Sequence, residues 1–360
     1  MNNKFTLTKM SRREFLGAAS AVALVGLTAS LAACKDDKAD NGENASEGST
    51  ANTGPITLVF LPDSSSTDMS ASRDAIAEAI KAATGREGKI MTTTDYNVAI
   101  EAIASDNVEM GLYGAEGYIQ ANRKNSKVQA AFTQSDVNGS LDLACYYSRI
   151  CVRVEDVDEY RSGSGFTLQP LKGKSFSFVS ATSTSGFKVP AAKIVDEFGL
   201  EDSDVLLENG AFFSEVLLGG SHQGSLLNLV SGDAEAAAFD DTDVDMYLDL
   251  VSGEPNMPGS IYQVRDGIGD PFTRVYGEQF IILSSTPVLN APFAVNENLL
   301  TSKEIEALVS YFCSEAVSGD PRIFGDPDNK DNKALFSKKS PETCFVRVTD
   351  SWYDPLRILG

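Results

Sequence analysis

An α/β fold is what the sequence predicts from Pro55 onward, on three observations. Short apolar runs alternate with longer stretches of helical spacing, and Gly or Pro punctuates most junctions between them. No repeat of solenoid length recurs. A chain of 360 residues has room for two or three domains, since domains run to about 100–200 residues each.

The elements follow in order. Ile56-Thr57-Leu58-Val59-Phe60-Leu61 reads as a strand stopped by Pro62. Residues 73–84 place Ile76, Ala79, Ile80 and Ala83 on one helical face and end at Gly85. Residues 95–105 repeat that spacing with Val98, Ile100 and Ile103. Residues 108–113 are strand-like and end at Gly114. Residues 141–154 read as one long, bent strand and 174–179 as another. A helix is expected around residues 191–198. Residues 226–230 lie on a helix ended by Gly232, and residues 234–239 form a small-residue strand. Residues 280–283 and 293–295 are strands, and 302–316 an amphipathic helix. This interleaving implies largely parallel sheets. Residues 255–278 are rich in Gly and Pro and read as an irregular loop.

Residues 1–33 read as an export signal. Lys4, Lys9, Arg12 and Arg13 make a basic start, and residues 15–33 are apolar but full of Ala, Gly and Ser. A membrane span needs about 20 strongly apolar residues, and this run is a poor one. Ser11-Arg12-Arg13-Glu14-Phe15-Leu16 resembles a twin-arginine motif, and Leu31-Ala32-Ala33-Cys34 resembles a bacterial lipobox. Those resemblances imply cleavage before Cys34 and acylation of its thiol. Residues 34–54 then form a polar, flexible tether, which cannot bury surface. The folded part is therefore expected outside the cytoplasmic membrane, anchored by lipid.

Charge narrows the partners. Lys and Arg number 30 against 51 Asp and Glu, a net charge of -21. Such a field repels nucleic acid and anionic lipid. The only histidine is His222, so a His-rich metal site and any chemistry needing two imidazoles are excluded. The five cysteines include no CxxC pair, which excludes zinc ribbons and thioredoxin-like redox. No cofactor and no metal is expected. Cys145 and Cys151 sit six apart on one strand, roughly 20 Å, too far to bridge. A Cys313–Cys344 bridge is left open by the sequence.

Three junctions share one local pattern, in which a strand ends, hydroxyl or Gly residues follow, and a helix begins. They are Thr92-Thr93-Thr94-Asp95, residues 180–186, and Gly219-Gly220-Ser221-His222. In open α/β sheets ligands bind at strand carboxyl ends, where amides at helix N-termini receive anions without cationic side chains. In Ser183-Thr184-Ser185-Gly186 the nearby Pro190 lacks an amide, so regular helix should not run far upstream of it. The bland alternative there is plain N-capping. His222 offers either a capped surface histidine or, as imidazolium, a charge and a donor. Asp240 follows the small-residue strand and would filter ligands by accepting a hydrogen bond from one that still carries a P–OH or an amine, while Asp241, Asp243 and Asp245 read as a solvated acidic loop. Tyr96 and Tyr146 are core residues by default and phenolic donors by function.

Taken together, these strings resemble one family. Ser183-Thr184-Ser185-Gly186-Phe187-Lys188-Val189-Pro190 resembles the STSG-x-x-VP signature of the phosphonate/phosphite/phosphate-binding proteins of ABC importers. Thr94-Asp95-Tyr96, Val108 to Gly114, Tyr146-Tyr147-Ser148, Gly220-Ser221-His222, Gly232 to Ala237 with Asp240, and Pro287 to Phe293 match in the same order. The resemblance spans about residues 55–312. It implies a two-lobed fold of the periplasmic-binding-protein-like type II, hinged between lobes, with lobe 1 at 55–147 plus 286–360 and lobe 2 at 148–285. It further implies a small phosphorus oxyanion bound by Tyr96 and Tyr146 from lobe 1 and Ser183, Thr184, Ser185 and His222 from lobe 2. The expected partners are that anion and a membrane permease, with the protein a monomer. Relatives that bind aminophosphonates carry a Glu and an Asp for the amine; the matching positions here are Thr242 and Ala291. Loss of that pair favours phosphite, phosphate or a simple alkylphosphonate. The loop at 255–278 and the tail after Gly325 depart from the family pattern. A sulfonate or carboxylate is the alternative cargo. A serine hydrolase using Ser221 or Ser185 is the remote one, because Gly219-Gly220-Ser221-His222-Gln223 fails the G-x-S-x-G elbow.

Overall fold

Ile56–Phe60 (β1) is an almost wholly buried apolar run, and it lies where such a run is stable, inside a sheet covered on both faces. In the computed structural model, which describes residues 53–65, 69–329 and 334–358, β1 runs parallel between Gly88–Thr92 (β2) and Met110–Leu112 (β3). The export segment, Cys34 and residues 35–52 of the tether lie outside the described residues. Among the described residues, no helix is long and apolar enough to cross a membrane.

Helix α1 (Ser70–Thr84) buries Ala75, Ile76, Ala79 and Ile80 and stops at Gly85, whose φ of 77° is left-handed. Helix α2 (Tyr96–Ala104) begins at Asp95, and α3 (Ala115–Lys124) follows β3 directly. Strand β4 (Val128–Gln134) ends the first run of this sheet. The chain then crosses to a second sheet through β5 (Cys145–Arg153). That sheet adds β6 (Ser175–Phe178), α4 (Val189–Phe198), β7 (Glu215–Leu218), α5 (His222–Val230) and β8 (Ala236–Asp240). It is completed by β9 (Leu248–Ser252), β10 (Ile261–Val264) and the long β11 (Gln279–Leu289). The chain returns through β12 (Pro292–Asn296), α6 (Ser302–Phe312) and β13 (Phe345–Arg347). A capping box between Thr301 and Glu304 starts α6.

The six-stranded sheet has the order β13-β4-β12-β3-β1-β2, and the seven-stranded one β9-β10-β11-β5-β8-β6-β7. Both are mixed rather than largely parallel. Only the neighbours within β2-β1-β3 and β8-β6-β7 pair in parallel, each strand of a set following its predecessor in that set through a helix, whereas β12 inserts antiparallel between β3 and β4. Strands β5 and β11 pair antiparallel from Cys145–Leu289 to Arg153–Phe280 and carry the chain between sheets. Each sheet buries apolar clusters on both faces.

Other expectations are corrected. The strand expected at 141–154 is shorter, because Asp136 accepts from the amides of Asn138, Ser140 and Leu143 and turns the preceding segment. The stretch 255–278 is not wholly irregular, since it contains β10. A wide helical turn, Thr184–Lys188, precedes α4 despite Pro190. The carbonyls that a Pro190 amide could have bonded find other donors: Ser185 O accepts from Ser148 Oγ (2.6 Å) and Gly186 O from Val179 N (3.2 Å). The four described cysteines are free thiols, so the Cys313–Cys344 pairing is not formed.

Candidate functional site

The carboxyl ends of β1, β3 and β8 and the N-termini of α2 and α5 face a common cleft between the sheets. It encloses a cavity of about 100 Å³, room for a small tetrahedral anion with a short substituent. Tyr96, Tyr146, Ser183, Thr184, Ser185, His222 and Asp240 all line it. So do Thr242 and Ala291, Asn290 and Gln134, Asp243 of the acidic loop, and Asp63, a residue that drew no attention in the sequence. Among the described residues, no Lys or Arg lines this cavity.

The hydroxyl segment is shaped by its own caps. Ser183 Oγ accepts from Gly186 N (3.0 Å), turning the chain into the wide first turn. Amides of Thr184, Ser185 and Phe187 belong to that turn, where no intrahelical carbonyl precedes them. Thr184 Oγ1 accepts from Glu116 N of α3 (2.8 Å), a bond that joins the two sheets. The approach needs a bare backbone at Gly114, where a Cβ would sit 2.8 Å from Thr184 Oγ1.

His222 is held in one tautomer. Its Nδ1 accepts from the backbone N–H of Asp240 at 2.9 Å and so carries no proton. The ring is neutral, with the proton on Nε2, which lies 3.3 Å from both Asp240 Oδ2 and Ser185 Oγ. His222 is buried rather than a surface histidine, and of its two expected roles the donor is the one this wiring keeps. Ser185, His222 and Asp240 thus gather like a catalytic triad but are wired differently. Nε2 donates, so it cannot take a proton from Ser185, and the carboxylate sits on the same nitrogen as the serine. Asp63, His222 and Asp243 offer ligand atoms within 4.8 Å of one another, a span a cation could bridge. The imidazole lone pair already points at the Asp240 amide, which leaves only carboxylates for such an ion.

Burial pushes the Asp240 carboxyl up to about 6, with Asp241 and Asp63 adding repulsion. Asp240 Oδ1 accepts from Asp243 N (3.0 Å) and Oδ2 from Ser185 Oγ (3.2 Å). Its oxygens are therefore engaged, and it acts on the cavity mainly through charge. Asp243 is raised well above the usual carboxylate range by burial, then by Asp240 and Asp63. Tyr96 and Tyr146 are also raised, first by burial and then by carboxylates, so both phenols stay protonated donors.

With this geometry described, the comparisons can be placed. Residues 58–353 match the family described as the periplasmic substrate-binding protein of phosphonate ABC transporters. The chain belongs to this phosphonate-binding family. This member is 28% identical over 264 residues to the phosphate-import protein PhnD of Mycolicibacterium smegmatis, covering 70% of this chain and 77% of that one. Its fold matches the binding-protein component of an ABC phosphonate transporter from Pseudomonas aeruginosa, with a TM-score of 0.59, 16% identity and 86% of each chain covered. It also matches a PhnD protein of Prochlorococcus marinus solved in complex with methylphosphonate, with a TM-score of 0.59 and 17% identity. That match covers 86% of this chain and 98% of the other.

In this phosphonate-binding family member, not every expected junction is open. Asp95 caps its own helix, its Oδ1 accepting from Asn97 N (2.7 Å) and Val98 N (3.2 Å), so the first junction offers no vacant amides of that kind. The acidic loop is not solvated as expected. Asp241 is buried and accepts from Tyr147 N and Asn256 Nδ2, both at 2.8 Å. Asp243 lines the cavity, and Asp245 pairs with Arg149. The two departures from the family pattern gain a place too. Asn256 of the 255–278 stretch braces Asp241 and Arg149, while Leu335 and Phe336 of the tail wall the cavity. Asp63 was missed because Pro62 reads simply as a strand stop. The signal available was an acid placed directly at the carboxyl end of a buried parallel strand.

Proposed function

We propose that this transport protein captures a small phosphorus oxyanion, a phosphonate, phosphite or phosphate, and delivers it to a membrane permease without chemical change. The observation that carries this reading is the composition of the cavity. Ser183, Thr184 and Ser185 line it together with the phenols of Tyr96 and Tyr146, and His222 adds a donor. Such a wall neutralises an oxyanion by hydrogen bonds alone. The names of the relatives favour the same ligand class. The wiring of His222 argues against hydrolysis, since the ring cannot serve as the base for Ser185. The reading includes a lipid anchor on Cys34, a monomer outside the cytoplasmic membrane, and a hinge where β5 and β11 pass between lobes, near Tyr147 and Ser285.

Titration with phosphite, methylphosphonate, phosphate, sulfate and methanesulfonate tests the ligand. At least one phosphorus oxyanion is expected to bind with micromolar affinity or better and to be competed poorly by the sulfur anions. No measurable binding of any of them at neutral pH sinks the reading.

A pH test probes Asp240. Its folded value of about 6 lies above the ordinary 3.8, so the native carboxyl holds a proton where the unfolded one does not. This group therefore costs stability and repels anions above pH 6, and both penalties fade as pH falls through that value. Asp63, Asp241, Asp243, Tyr96, Tyr146 and His222 are the other titratable groups around it. The D240N variant is expected to bind phosphite about tenfold tighter than wild type at pH 8, with the two converging below pH 6. The ligand's own titration cancels in that comparison. A ratio that stays constant from pH 5 to 8 removes Asp240 from the account.

A further inference from the structure

Asp63 stands on lobe 1 in a short turn directly after β1. It is only 4% exposed. One of its oxygens, Oδ1, accepts from the backbone N–H of His222 at 2.6 Å, the first amide of α5 on the opposite lobe. The other, Oδ2, accepts from the phenol of Tyr96. The phenol is a donor that the anion-binding reading gives to the ligand, and the α5 amide belongs to the helix N-terminus at Gly219-Gly220-Ser221-His222 expected to receive an anion. A carboxylate presents two oxygens about as far apart as two oxygens of a tetrahedral phosphorus anion. The side chain is thus an anion of the protein's own, seated where a ligand oxygen pair would sit, and it bonds lobe 1 to lobe 2 while it is there.

Resting on the oxyanion reading above, we infer that Asp63 is a tethered competitor: it holds the empty cleft shut by occupying the α5 amide and Tyr96, and every ligand must displace it. The consequence is quantitative. If the empty protein spends most of its time latched, the apparent affinity for any ligand falls by the fraction of molecules left unlatched. Asp63 then sets an affinity threshold for all cargo, and weakly held anions fail to cross it. Two other polar contacts between lobes, Thr184 Oγ1 with Glu116 N and the Lys188–Glu116 ion pair at 4.0 Å, use neither donor and are compatible with a ligand. Asp63 differs from Asp240 in this respect. Asp240 hydrogen-bonds only to lobe 2 groups, through Ser185, His222 and Asp243, and affects a ligand through charge.

The test uses wild type, D63A, D63N and D240N, titrated with phosphite, inorganic phosphate and methylphosphonate at pH 8, with small-angle scattering of each empty protein. D240N removes a cavity carboxylate without touching the latch and measures charge relief alone. D63A is expected to bind at least tenfold tighter than D240N, and empty D63A to be more extended than empty wild type. D63N keeps the shape of the side chain and guards against a folding failure of D63A; it is expected to shift both readouts in the same direction by less. Weaker binding by D63A and D63N overturns the latch and makes Asp63 a ligand contact. A gain no larger than that of D240N, or an empty wild type as extended as D63A, overturns it as well. If none of the four proteins binds phosphite, phosphate or methylphosphonate, the oxyanion reading itself fails and takes this inference with it.

Discussion

Replacing Asp245 by Ala is expected to lower stability by about 3 kcal/mol, although the residue opens a single short helical turn with its side chain 41% exposed. Its partner decides the effect. The Arg149 side chain is fully buried in the centre of the second sheet. Its guanidinium meets both Asp245 oxygens, at 2.6 and 2.9 Å, with Asn256 Oδ1 at 2.7 Å and the Tyr262 ring 4.6 Å away. Removing one partner of a buried pair leaves an uncompensated charge, which costs about 3–5 kcal/mol. The low end applies because Asp245 is partly solvated and Asn256 and Tyr262 remain. The exposed Asp249 is the control, where Ala should change stability by about 0.5 kcal/mol or less. Denaturant unfolding measures both. A D245A variant as stable as D249A refutes the claim that Arg149 depends on this carboxylate. Ligand affinity should fall as well, because the 240–245 loop that Arg149 anchors carries Asp240 and Asp243 to the cavity.

Gly224→Ala is expected to damage stability and binding together. A Cβ at Gly224 would lie 2.1 Å from the carbonyl oxygen of Gly219, and one at Gly219 would lie 2.3 Å from Ser225 N. The turn before α5 and the first turn of that helix therefore touch backbone to backbone, and neither can yield as a side chain could. Overpacking of this kind costs about 1–3 kcal/mol, more where rigid atoms collide. The displaced turn carries the His222 amide, so ligand affinity should drop by more than tenfold. Gly165→Ala, with open space around it, should leave both properties unchanged. The packing argument fails if Gly224→Ala matches that control in denaturant unfolding and ligand titration.

Parts of this molecule were legible because they obey local rules. The apolar run of β1, the spacing of Ile76 and Ile80, the Asp95 cap and the Gly85 stop each act within a few residues of themselves. The hydroxyl segment and His222 could be singled out because Ser, Thr and Gly before a helix have a local meaning. The acidic loop misled for the opposite reason. Nothing near Asp245 reveals that Arg149, almost a hundred positions earlier, is buried behind it, or that Asn256 holds Asp241. The protonation of His222 was equally hidden, because the Asp240 amide that fixes it becomes a neighbour only when α5 packs against β8.

Sequence alone determined an acidic chain with alternating strands and helices, and a set of hydroxyl, phenol and imidazole groups suited to an oxyanion. These follow from composition and short-range spacing, which folding does not change. Tertiary structure alone decided which of those groups meet, that three carboxylates share their cavity, that the Asp240 amide engages the imidazole, and that Asp63 reaches across to the first amide of α5. Charge state and hydrogen-bond partner depend on distance in space and on exclusion of water, and both arise only when segments far apart in the chain are brought into contact.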